Sequence, residues 1–98
     1  MTQSALNTWL ALPADTWTQF SEIDCTFVVV YGGNVEIIGM DGAAPDADDR
    51  GIPYPMGTGE DVDTGMLARF PGAGTADRLY AISRGENGAI FVSRAAVA

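Results

Sequence analysis

The sequence predicts an all-β fold, a small single-domain β-sandwich or β-barrel of about six short antiparallel strands. An N-terminal arm (residues 1–15) and a long acidic Gly/Pro-rich loop (residues 41–65) complete the expected plan. Three observations carry this. β-branched and aromatic residues concentrate in short runs, at 17–20, 23–31, 35–40, 66–70, 78–83 and 89–93. Gly, Pro and Asn clusters punctuate those runs. With 98 residues and no internal repeat or boundary, the chain has room for one core and not two.

In the arm, Ala5-Leu6 and Trp9-Leu10-Ala11-Leu12 are apolar and the pattern stops at Pro13, so the segment is one helical turn or an extended arm. Trp9 and Leu12 should not stay in water, and pack on the domain or on a neighbouring molecule. Gly32-Gly33 or Gly33-Asn34 supplies the backbone freedom of a tight turn, which predicts a hairpin between 23–31 and 35–40. Thr26, Val28, Val30, Val35 and Ile37 then share one face. Cys25, Phe27, Val29, Tyr31, Ile38 and Met40 share the other, with Glu36 as its only charge. Both faces are largely apolar, so the hairpin is central in a sandwich or barrel or has one face covered by a partner.

Residues 41–65 hold seven acidic residues and three prolines without a strand or helix period. Unstructured connections longer than about 15 residues are uncommon unless functional, and the insert Ile52-Pro53-Tyr54-Pro55-Met56 has apolar surface to bury. After the strand at Met66–Phe70 and the break at Pro71-Gly72-Ala73-Gly74, a closing hairpin turns at Gly85-Glu86-Asn87-Gly88. Symmetric pairing about it sets Ile82 opposite Phe91 and Tyr80 opposite Ser93.

Composition removes several functions. Thirteen acidic residues against five Arg give a net charge of −8, which repels phosphate backbones, so nucleic acid is not an expected partner. No apolar segment approaches a membrane span and no leader pattern opens the chain, so no membrane partner is expected and synthesis is expected in the cytoplasm. The absence of His removes the commonest general base and most zinc sites. Cys25, among Val and Phe, reads as core and not as a nucleophile.

Asp46, Asp48, Asp49, Glu60, Asp61 and Asp63 are carboxylates of the type glycosidases use, but a Gly/Pro-rich loop does not hold two of them at a working separation. Asp46-Ala47-Asp48-Asp49-Arg50-Gly51 has the oxygen density of a calcium loop. It departs from the EF-hand pattern at Arg50 and at Gly57, where a Glu is required. Gly57-Thr58-Gly59 and Gly72-Ala73-Gly74 precede no helix and read as turns. No enzyme activity, cofactor or metal is therefore expected. What remains are apolar groups in edge and loop segments, Trp9, Trp17, Tyr54, Met56 and Met66, of types enriched at interface centres.

The sequence of Tyr31-Gly32-Gly33-Asn34-Val35, then Ala44-Pro45, then Gly51-Ile52-Pro53-Tyr54-Pro55-Met56-Gly57, then Arg78–Ser83 and Gly88–Val92 resembles small virion proteins of tailed bacteriophages, in particular capsid decoration (cement) proteins. The resemblance covers roughly the last two-thirds of the chain and lies in the order of features. It implies a β-fold on the capsid exterior that ties subunits of the major capsid protein together, as a monomer filling quasi-equivalent sites or as a trimer at a threefold junction. In that setting the expected contacts are Trp9, Leu10 and Leu12 of the arm and Ile52, Tyr54 and Met56 of the loop. The alternative is an adhesive module of a tail or fibre that binds a host-surface glycan or protein.

Overall fold

A computed structural model describes residues 5–22, 25–40, 43–62 and 78–95. The predicted strand at Met66–Phe70 and the break at 71–74 lie outside these residues. Among the described residues there are eight strands: β1 (Ala5–Leu12), β2 (Thr18–Glu22), β3 (Cys25–Tyr31), β4 (Asn34–Met40), β5 (Ile52–Pro53), β6 (Gly59–Val62), β7 (Arg78–Arg84) and β8 (Gly88–Ala95). They form two antiparallel sheets, a front sheet in the order β1-β8-β3-β6 and a back sheet in the order β2-β7-β4-β5.

That order is the signature of a jelly roll, a two-sheet sandwich in which each odd strand hands over to the next at one end. Register places the turns β1–β2, β3–β4, β5–β6 and β7–β8 together. Leu12 pairs with Gly88, Tyr31 with Ala89, Asn34 with Arg84, Val28 with Gly59 and Glu36 with Pro53. Each turn crosses between sheets. The arm is extended and not a helical turn, and Ala5–Leu12 pairs along its whole length with β8 as a strand of the front sheet.

The two predicted hairpins are instead arches. β3 lies in the front sheet and β4 in the back, and β7 and β8 are divided in the same way. Ile82 therefore faces Glu36, while Phe91 lies between Trp9 and Val28. Ser83, fully buried where the arches meet, explains the geometry: its hydroxyl donates to Glu86 O at 2.7 Å and accepts from Gly33 N at 3.0 Å. Gly88 must be glycine, since a Cβ there would sit 2.7 Å from Tyr31 O and 3.0 Å from Gly32 Cα. The β1–β2 arch joins them: Asp15 N donates to Ser83 O, Gly85 N donates to Asp15 Oδ1, and Ala14 N donates to Asn87 Oδ1.

The core lies between the sheets and unites residues that a hairpin would have separated. Cys25, Phe27 and Val29 from β3 meet Val35 and Ile37 from β4, with Leu12, Phe20, Tyr54, Leu79, Ala81, Ile90 and Val92 around them. Phe27 is central, edge-on to Phe20 at 5.3 Å and to Tyr54 at 5.2 Å. A bulge between Val29 and Tyr31 breaks the strict alternation, so Tyr31 pairs with Ala89 and is half exposed.

Candidate interaction surface

The outer faces of the two sheets differ. On the back sheet the outward residues of β4 and β7 include Glu36, Tyr80 and Ile82, which are buried, and Ile38, Met40, Arg78 and Arg84, which are half-buried. The connection from Ala43 to Gly51 reaches this face through Glu36, Arg84 and Trp17, and its Pro45 is buried. Glu36 fastens that connection. Its carboxylate accepts from Arg50 Nη2 at 2.6 Å and Nε at 3.2 Å, from Arg84 Nε at 3.1 Å and Nη2 at 3.2 Å, and from Gly51 N at 3.0 Å.

Arg84 reaches further, donating to Asp49 O at 2.7 Å and lying 5.7 Å over the Trp17 ring. Trp17 Nε1 donates to Asp46 O at 2.9 Å, which anchors the acidic turn. Burial acts to raise the Glu36 pKa, but the two guanidinium forks and the Gly51 amide prevail and hold it at about 2, against an ordinary 4.5. A carboxylate so saturated with donors and so well enclosed is fixed as an anion, and does not serve as a proton-transfer group at neutral pH.

The outer face of the front sheet has no such cover among the described residues. One cross-strand row runs Trp9, Phe91, Val28, Gly59, and the next runs Ala11, Ala89, Tyr31. Trp9 is 66% exposed, Tyr31 49% and Val28 36%, and none of these seven residues is charged. A chain of net charge −8 thus presents two uncharged cross-strand rows around Trp9 on one side, flanked by the polar row Asn7, Ser93, Thr26, Asp61, and an acidic, ion-paired connection on the other.

Of the six contact residues expected from sequence, the structure leaves two on the surface, Trp9 and Met56, which is 67% exposed. Leu12 is fully buried and Tyr54 nearly so, and Leu10 and Ile52 pack against the same core. Two features of the fold place these four side chains in the core. Strand β1 turns Leu10 and Leu12 inward by its alternation, and the β5–β6 arch docks on both sheets through Tyr54 N to Val35 O and Gly57 N to Val29 O. Phe91, Val28 and Tyr31 were missed because hairpin pairing had put them in other neighbourhoods. The outward phase of Trp9 in an eight-residue apolar strand was the signal available.

Asp46 and Asp49 bond each other's turn, Asp46 N to Asp49 Oδ2 at 2.9 Å and Asp49 N to Asp46 O at 3.0 Å. Among the described residues no group of three potential ligands is arranged to hold a metal ion. Among the same residues no helix is long and apolar enough to cross a membrane. Comparison with family models, with curated proteins and with solved structures finds no match to this chain.

Proposed function

We propose that this chain is a non-enzymatic structural protein of a tailed-phage virion, which binds the outer surface of the capsid and stabilises the head by bridging subunits of the major capsid protein. The observation that carries the reading is the uncharged row Trp9, Phe91, Val28 on the bare face of the front sheet, opposite the acidic cover of the back sheet. Such a chain docks by its front and keeps its charge toward solvent. The jelly roll is a recurrent architecture of capsid and lectin domains, which agrees with the reading without deciding it.

A protein partner is favoured over a glycan. Stacking on Trp9 would suit a sugar, but Phe91 and Val28 in its own row and Ala11 and Ala89 in the next carry no polar side chain to fix sugar hydroxyls, and amide, hydroxyl and carboxylate types enter only in the row on the other side, Asn7, Ser93, Thr26 and Asp61. The test is co-sedimentation with phage heads assembled without decoration protein, using the parent and a Trp9→Ala variant. Trp9 stands in solvent, so the variant should fold normally. Saturable binding by the parent, weakened about tenfold or more in the variant, is expected for a central interface aromatic. Absence of binding to heads together with retention on host-surface glycans would replace this reading with the adhesive one.

A further inference from the structure

We propose that β1 is an open strand-pairing edge through which two copies of this chain join across a two-fold axis at Trp9, making one continuous eight-stranded sheet from their two front sheets. Sheet edges carry unpaired N–H and C=O groups, and proteins ordinarily blunt them with short length, charge, proline or a bulge. Three of the four edges here are blunted. β5 has two residues and one is Pro53. β6 has four and includes Glu60 and Asp61. β2 has five, ends at Glu22, and its register breaks between Gln19 and Ser21.

β1 has none of these devices. It is eight residues long, Ala5-Leu6-Asn7-Thr8-Trp9-Leu10-Ala11-Leu12, with no charge, no proline and unbroken register against β8. Among the described residues it pairs on that side alone. A second copy is the occupant that the residues favour. Directly opposed residues of an antiparallel pair share a face, so the numbers of paired residues in a self-complementary edge must sum to an even value. An axis at Trp9 meets this, setting Leu10 opposite Thr8 and Ala11 opposite Asn7 of the second copy.

The same axis extends the front-face row to Val28, Phe91, Trp9 and then Trp9, Phe91, Val28 of the second copy, which shields both indoles from water. Charge does not oppose the pairing. β1 carries no charged residue along its eight positions, so no like charges meet strand to strand across the axis. The inference goes beyond the capsid reading, and it doubles the apolar row which that reading uses.

The test uses the isolated chain without phage heads, so it stands or falls apart from capsid binding. Sedimentation equilibrium across a wide concentration range should show the parent moving from the mass of one chain to twice that mass. Thr8→Lys and Ala11→Lys, each at an exposed β1 position, should remain single chains with unchanged circular dichroism. Gln19→Lys, exposed on the β2 edge, should dimerise like the parent. A parent that stays a single chain at its highest soluble concentration would overturn the proposal, as would folded Thr8→Lys and Ala11→Lys variants that still dimerise.

Discussion

Glu36 is the residue on which the back of the molecule depends. Its carboxyl titrates at about 2 in the folded chain and near 4.5 when unfolded, so the unfolded state takes up a proton first as pH falls. The stability this group contributes is fully present above about pH 4.5 and is lost between there and about pH 2. Its size is at most about 3.5 kcal/mol, from the shift at about 1.4 kcal/mol per unit. Urea midpoints measured across this range should fall in the parent and fall less in Glu36→Gln, which should already be destabilised at neutral pH by about 3 kcal/mol. Equal slopes in both would show that other carboxylates set the acid limit. The two arginines are not equivalent partners. Arg50 is 72% exposed, whereas Arg84 is 22% exposed and also holds the loop and the Trp17 ring. Arg84→Met should therefore cost about 2 kcal/mol or more and Arg50→Met under about 1 kcal/mol, read from the same denaturation curves.

At the scale of elements, the arches set the fold. Ser83→Ala removes a buried hydroxyl that serves two arches at once, leaving Gly33 N and Glu86 O short of a partner, and should cost about 2 kcal/mol in chemical denaturation. A change within a few tenths of a kcal/mol would mean that the arches hold without it. These connections also mark how far the sequence could be read. The β-branched runs located β3, β4, β7 and β8, and the alternation of Cys25, Phe27 and Val29 against Thr26 and Val28 gave the correct inward set on β3. Gly32-Gly33 and Gly85–Gly88, however, suit a hairpin and an arch equally well by turn chemistry. Only the burial of both faces of β4 and β7 separates the two, and that burial is a tertiary fact. The phase of Tyr31 was hidden for a related reason, since the bulge at Val30 arises from pairing with β8. The candidate surface was legible at Trp9 and Met56. At Leu12 and Tyr54 it was not, because residue type alone does not say which apolar group the core takes.

For the whole molecule, the consequence of the fold is asymmetry. The chain spends its ion pairs and its long connection on covering the back sheet, and leaves the front sheet uncharged around Trp9. The exposed apolar row across β1, β8 and β3 is small beside the roughly 800 Å² per partner of a standard interface, so each contact with a coat lattice should be weak alone and gain from pairing and from the repetition of sites. Such a chain reinforces a shell through many modest contacts, and its effect should appear in the shell's own stability. The most direct measurement is the heat denaturation of decoration-free heads, followed by calorimetry as this protein is added. The account predicts that the shell transition moves to higher temperature and stops moving once a fixed number of copies is bound per head, and that Trp9→Ala at the same concentration leaves it nearly unmoved. A shell transition unchanged at saturating binding, or a shift that Trp9→Ala reproduces in full, would contradict it.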